Sequence, residues 1–271
     1  MKTLATRAFS CVAALRLTAL YAIALIVVSV TLTALGPHAR EVAVSRMSTN
    51  LHNLAHGRLT TLVGSAFVEG GAVYAWLPGL VCLLALGELI WRSRGLLIAF
   101  AAGHIGATLL VAVWLITAVK SGWVPVSVTR ASDVGISYGA VSVLGALTAS
   151  LPTRWRTIWV GWWLGTALVV AWAAAFDFTA IGHILSLLLG VAVSWRLPAL
   201  ARWSRAHMVL LTNGAVLGYF MVAGWSVVAP LGGLAGVLLA VLVSRNLSSR
   251  NESAPALPQS MPYTNLSPAS P

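Results

Sequence analysis

The chain has very few charged residues. They make up 8% of its 271 residues, and only six of them are Asp or Glu. A soluble domain carries about a quarter charged residues, so this scarcity excludes an ordinary soluble domain. Hydrophobic residues account for 59% of the chain, and such a composition indicates an integral membrane protein.

Cysteine is also scarce. Cys11 and Cys82 both fall in or beside apolar stretches, which argues against a disulfide framework or a cysteine-based metal site. We therefore expect no metal and no cofactor. The formal net charge of +11 comes from basic residues scattered between apolar runs. Because they form neither a basic face nor a nucleic-acid motif, we expect no nucleic-acid partner and attribute the charge to membrane orientation.

Long apolar segments make up most of the sequence. A helix that crosses a lipid bilayer needs about 20 apolar residues. Pro230 and Gly232-Gly233 offer a break between the last two segments, so we predict eight spans, with seven as the alternative. The segments are 18–36, 72–91, 96–119, 134–151, 157–176, 179–197, 208–226 and 230–244.

The distribution of basic residues favours eight spans with a cytoplasmic N-terminus. A seven-span model would move Arg245 and Arg250 to the outside, against the excess of Lys and Arg expected in cytoplasmic loops. The scarcity of lysine among the basic residues points to a GC-rich bacterial genome and a bacterial cytoplasmic membrane. In the eight-span model, five of the 17 basic residues lie outside: Arg40, Arg46, Arg58, Lys120 and Arg130.

Two short motifs, 135–139 (GISYG) and 182–186 (GHILS), each stand near the start of an apolar segment. In the eight-span model both segments run in the same direction. Ser137 and His183 then lie about 6 and 9 Å below the acidic residues that precede them, at 1.5 Å per residue. An imidazole that accepts the serine proton makes the hydroxyl nucleophilic, so the two residues form a candidate catalytic pair.

Small residues accompany both motifs. Gly139 follows the serine, and Ser186 and Gly190 follow the histidine on one helical stripe. Small residues at a spacing of three to four let membrane helices approach closely. We therefore expect His183 to lie on the face that contacts the serine helix.

Together these motifs resemble the rhomboid family of intramembrane serine proteases. There, G-x-S-G begins the fourth helix and H-x-x-G-x-x-x-G begins the sixth. By this resemblance Ser137 is the nucleophile and His183 the general base, each in the expected span. The resemblance covers roughly 18–197. Further stretches that resemble the approach to helix two, the following turn and helix three are 65–71, Gly87-Glu88 and 103–107.

The resemblance implies an all-α, polytopic membrane protein. It predicts a rhomboid-like six-helix core in 1–206, one or two additional spans in 207–244 and a disordered cytoplasmic tail in 245–271. The implied function is cleavage of transmembrane protein substrates within the lipid bilayer. The implied supporting residues, for the oxyanion or for helix packing, are Gly135, Tyr138, Gly139, Ser186 and Gly190.

The sequence also departs from the family pattern. Tyr138 stands where a glycine usually follows the serine, and 74–78 lacks the histidine and asparagine that help to form the oxyanion hole. Losing an oxyanion donor typically costs about 100- to 1000-fold in rate. The alternative is therefore a catalytically inactive rhomboid-fold protein that binds transmembrane clients. A solute transporter is disfavoured because the chain shows no internal repeat.

Other histidines have simpler interpretations. His104 lies eight residues into its segment, about 24 Å from the predicted outer end. We expect it to be too deep to join Ser137 and to make a buried hydrogen bond between helices. His52 and His56 fall in the outer loop 37–71, which we expect to lie at the membrane interface.

Overall fold

The computed structural model describes residues 14–68, 73–132, 134 and 136–252, and this part of the chain is helical without strands. Short 3₁₀ turns at Val126–Arg130 and Leu147–Ser150 and a π-helix at Ala102–Ala107 supplement the α-helices. The α-helices are α1 (Arg16–Leu35), α2 (Pro37–Met47), α3 (Leu51–Ala55), α4 (Thr61–Gly64), α5 (Val73–Ala101), α6 (Thr108–Lys120), α7 (Ser137–Ala146), α8 (Thr153–Ala173), α9 (Phe178–Ser194), α10 (Arg205–Ala223) and α11 (Ala229–Glu252).

Helix α5 contains most of the predicted span 72–91 and the start of the span 96–119, which continues through the π-helix into α6. Arg92 interrupts it with φ 61° and ψ 173°, a conformation that costs an ordinary residue free energy. A Cβ placed on Gly87 would lie 3.2 Å from a Leu96 side-chain carbon, although nine residues of straight helix would separate them by about 13 Å. The chain therefore reverses at Arg92, as the two predicted segments require.

Several reversals meet at one end of the bundle. Trp91 Nε1 donates a hydrogen bond of 3.1 Å to Ser150 Oγ, and Trp203 Nε1 donates one of 3.1 Å to the Ser150 carbonyl. The turn at Arg92, the end of the α7 segment and the start of α10 thus lie together. We call this the basic end, and its exposed arginines include Arg92, Arg94, Arg154, Arg202 and Arg205.

A buried carboxylate at the basic end anchors the first span. Glu88 is 1% exposed and accepts hydrogen bonds from the backbone amides of Leu17 and Thr18 at 2.9 and 2.8 Å. The Thr18 hydroxyl donates another at 2.7 Å, and Ser93 Oγ donates a fourth at 2.5 Å. Because the first amides of a helix lack intrahelical acceptors, Glu88 caps α1 from a different helix.

The eighth predicted span is a helix that packs on α8. A Cβ on Gly161 would lie 2.6 Å from the Gly236 carbonyl oxygen, and one on Gly232 would lie 2.6 Å from that of Gly165. The pairing of 161 with 236 and of 165 with 232 makes α8 and α11 antiparallel. Such a contact between backbones is possible only where both helices carry glycine.

Helix α7 lies at the centre of the bundle, and every residue from Tyr138 to Ser150 is buried. Helix α10 covers one side of it. A Cβ on Gly214 would lie 3.1 Å from Leu83 of α5, and one on Gly218 would lie 2.7 Å from Leu144 of α7 and 3.5 Å from Trp163 of α8. Helix α10 therefore occupies the space between α5 and α8, beside α7.

The structure agrees with a polytopic, all-α membrane protein. By length and composition, four helical stretches of the described residues can cross a membrane: α1, Val73–Lys120, which reverses at Arg92, α10 and the Ala229–Asn246 part of α11. The segment between α1 and α5, predicted from the sequence to be an outer loop, contains the short helices α2, α3 and α4. Helix α11 continues past Ser244 to Glu252, whereas the rest of the predicted tail lies outside the described residues.

Candidate functional site

The serine and histidine helices, α7 and α9, pack closely in parallel. A Cβ on Gly145 would lie 2.5 Å from the Leu187 carbonyl oxygen, and one on Gly190 would lie 2.9 Å from Ser142 Cα. Near the start of both helices, the Ser186 hydroxyl donates a hydrogen bond to the Tyr138 carbonyl. Contacts therefore advance along both helices together, so their N-terminal ends lie side by side.

The small residues singled out in the sequence fall into two groups. Ser186 and Gly190 face α7, as the helical stripe predicts. Gly139 instead faces the last turns of α5, where its Cβ would lie 2.5 Å from the Phe100 ring. Gly135 lies outside the described residues.

Ser137 is the first residue of α7 and is half-buried. The residue before it, Ile136, occupies the N-cap position and has no side-chain acceptor for the first amides. The Ala140 amide at this end donates a hydrogen bond of 2.9 Å to the Ile136 carbonyl. The first amides of a helix have no intrahelical acceptor and favour an anion, so the surroundings of Ser137 suit a developing negative charge.

His183 lies in the second turn of α9 and is 7% exposed. Its Nε2 atom is buried and has no hydrogen-bond partner among the described residues. A buried polar atom without a partner costs about 1–3 kcal/mol. Packing alone would not favour a histidine here, because an apolar residue of similar size would avoid this cost.

Tyr138 fills the space beside the histidine. Its ring meets the His183 ring edge-on, with 5.6 Å between centroids and 85° between planes. Its hydroxyl donates a hydrogen bond of 3.4 Å to the Phe178 carbonyl, and the ring packs against the Gly182 backbone. Tyr138 therefore joins the beginnings of α7 and α9.

Ser137 and His183 lie at the adjacent ends of two parallel helices, but no hydrogen bond joins them within the described part of the chain. Catalytic hydrogen bonds are often long or unformed in the absence of substrate. The geometry is therefore that of a serine and a histidine held near each other with the histidine nitrogen unsatisfied.

A second serine–histidine pair is hydrogen-bonded. His104 Nε2 lies 3.2 Å from Ser65 Oγ, and both residues are at least nine-tenths buried. The predicted buried hydrogen bond of His104 is thus confirmed, with its partner in the outer loop. Sequence reasoning missed this role of Ser65, since no local pattern connects residues 39 positions apart.

The estimate that placed His104 far below Ser137 is wrong. A Cβ on the adjacent Gly103 would contact Tyr138 and Ser142 of the serine helix, so His104 lies near the level of the first turns of α7. The estimate assumed that all spans begin at one depth. Helix α7 is short and begins inside the bundle, well below the end of α6.

These observations define a polytopic α-helical membrane protein that holds a serine and a histidine at the adjacent ends of two parallel helices. The family model described as rhomboid-like protein matches residues 12–201, and the chain belongs to this family. Helices α10 and α11 lie beyond the matched residues. Comparisons with curated proteins and with solved structures found no match.

Proposed function

We propose that this rhomboid-family protein is an intramembrane serine peptidase whose nucleophile is Ser137 and whose general base is His183. The observation that carries this proposal is the buried and unpartnered Nε2 atom of His183 beside the start of the serine helix. Ionisable residues within membrane-spanning helices are expensive and commonly functional. A nitrogen that is left unsatisfied is available for the serine proton.

In the proposed reaction, Ser137 Oγ attacks the carbonyl carbon of a peptide bond while His183 takes the hydroxyl proton. The carbonyl oxygen becomes an oxyanion that backbone amides at the start of α7 stabilise. His183 then returns the proton to the departing amine, and a water molecule releases the acyl group by the same route. No metal or cofactor takes part.

The proposed substrate is a transmembrane protein, and the reaction occurs inside the helical bundle, where α7 begins. Ser137 is only partly buried, so water reaches it from the end where α7 and α9 begin. We further propose that the basic end faces the cytoplasm of a bacterial cell, because cytoplasmic loops carry an excess of Lys and Arg. The site then opens toward the outside.

The second candidate function is binding of transmembrane clients without cleavage. Three observations favour it: Ser137 and His183 share no hydrogen bond, Tyr138 packs against the histidine, and helix two carries neither histidine nor asparagine at 74–78. Tyr74 is 81% exposed and points away from the site, so it does not replace the missing donors.

Fluorophosphonate labelling of the purified protein in detergent distinguishes the two functions, because only an activated serine forms the phosphonate ester. We expect labelling of the wild type and its loss in Ser137→Ala and in His183→Ala. The matched control is Ser65→Ala, which removes the serine that is hydrogen-bonded to His104. This control should still be labelled.

Each outcome has a consequence for the proposal. If Ser65→Ala abolishes labelling while Ser137→Ala retains it, the proposed pair is wrong. If a well-folded wild type is not labelled, co-expression with tagged single-span membrane proteins distinguishes a peptidase from a client-binding protein. Capture of a full-length client without any shortened fragment supports the binding protein and contradicts the peptidase.

A further inference from the structure

A large apolar groove lies outside the Ser137–His183 site. It has a volume of about 680 Å³ and runs between α8, α10 and α11. Its lining extends from Met208 to Tyr219, roughly 16 Å along α10 at 1.5 Å per residue. Aromatic rings form much of the wall, among them those of Trp155, Trp159, Trp162, Trp203 and Tyr219.

The mouth of the groove lies at the basic end. Trp155 and Trp203 line the groove there, and the neighbouring residues along the chain are Arg154 and Arg202. Arg205 begins α10 one turn before Met208. All three arginines are exposed, and the Arg154 guanidinium carbon lies 6.0 Å from the centre of the Trp155 ring, so positive charge lies beside the apolar groove.

These arginines are not used by the fold in the way that Arg156 is. Arg156 donates hydrogen bonds of 2.8 and 2.9 Å to the carbonyls of Ala149 and Leu151. Between residues 134 and 251 the chain has a single acidic residue, Asp177, and this carboxylate caps α9 at the opposite end of α8. Neither α8 nor α10 contains an acidic residue that would offset these three arginines.

We propose that this groove is a binding site for an anionic phospholipid, with one acyl chain along the aromatic wall and the phosphate among Arg154, Arg202 and Arg205. Guanidinium groups bind phosphate oxygens in a bidentate manner, and the apolar wall suits a hydrocarbon chain. A transmembrane helix also suits the apolar wall, but its uncharged surface offers these arginines no anion.

Quenching of tryptophan fluorescence by brominated lipids tests the proposal, because bromine on an acyl chain quenches an indole only on contact. The full chain is reconstituted in mixed micelles with brominated phosphatidylglycerol or brominated phosphatidylcholine. We expect half-maximal quenching at about tenfold lower mole fraction for the anionic lipid, as a few basic residues near a phosphate provide.

A charge variant and a tryptophan variant test whether the preference for the anionic lipid arises in the groove. Arg154→Gln/Arg202→Gln/Arg205→Gln should abolish it, whereas the matched control Arg46→Gln/Lys120→Gln/Arg130→Gln, which removes charge from the other end, should retain it. Trp155→Phe/Trp162→Phe should reduce the part of the quenching that is specific to the anionic lipid, since these are two of the indoles that line the groove.

Three results would overturn the proposal. Equal quenching by both lipids would show only the ordinary lipid annulus, and an equal loss in the two charge variants would show only an effect of net charge. If native mass spectrometry of the wild type finds a bound polypeptide in place of a phospholipid, the groove is a client-binding surface.

Discussion

The Tyr138 ring lies edge-on against the His183 ring, with 5.6 Å between the two centroids. In the family pattern a glycine takes the position of Tyr138, so this contact is a particular feature of this chain. It places a bulky side chain between the first turn of the serine helix and the histidine helix.

We predict that Tyr138→Gly increases the rate of fluorophosphonate labelling by about tenfold, a fraction of what a general base contributes. Removal of the ring clears the space in which the Ser137 hydroxyl and the His183 nitrogen can meet. The matched control, Tyr138→Phe, retains the ring and should label at the wild-type rate. An equal increase in both variants would assign the effect to the tyrosine hydroxyl and its bond to Phe178.

Glu88→Gln should destabilise the protein by about 2 kcal/mol or more, because hydrogen bonds to a charged group contribute about 1.5–3 kcal/mol each. The uncharged amide accepts fewer hydrogen bonds from the start of α1. Thermal unfolding in detergent measures the loss. Glu41→Gln, at an exposed position of α2, is the control and should change stability by less than about 0.5 kcal/mol. An equal loss of stability in the two variants would contradict the capping of α1 by Glu88.

Arg92→Gly should stabilise the protein by about 1 kcal/mol or more, since glycine adopts a positive φ without the cost that other residues bear. The control is Arg94→Gly, an exposed residue two positions further along. There the same change falls within helix and should cost about 1 kcal/mol. Opposite shifts in melting temperature are expected, and a decrease in both variants would contradict the strained turn.

Gly165→Val should cost about 2 kcal/mol by overpacking the contact between α8 and α11. A Cβ at this position would lie 2.9 Å from the Cα of Gly236, so the helices must separate. Ala235→Val, on the exposed side of α11, is the control. Thermal unfolding and tryptic digestion at Arg245 should distinguish the two, and identical behaviour would mean that the glycine contact does not hold α11.

The apolar helices could be predicted from the sequence because apolar length is a local property of the chain. The predicted break at Pro230 and Gly232-Gly233 is wrong, since α10 ends at Ala223 and α11 begins at Ala229. The proline and the two glycines lie in the first turns of α11, where the glycines pack against α8. The face of α9 that meets α7 was also predictable, since Ser186 and Gly190 recur at helical spacing.

Contacts between distant segments could not be predicted in this way. Glu88 binds α1, about 70 residues earlier, and Ser65 binds His104, without any pattern in the sequence that pairs them. The depth of Ser137 was misjudged because it depends on how far the chain re-enters the bundle before α7. The packing of Tyr138 against His183 depends on the same three-dimensional arrangement.

The carboxylate cap on α1 has a consequence for biosynthesis. The ribosome makes α1 first, yet the group that satisfies its leading amides is synthesised about 70 residues later. At roughly 5–20 residues per second this delay is about 4–14 s. During this interval the nascent first helix waits with its leading amides unsatisfied until the second hydrophobic segment, which carries Glu88, enters the bilayer.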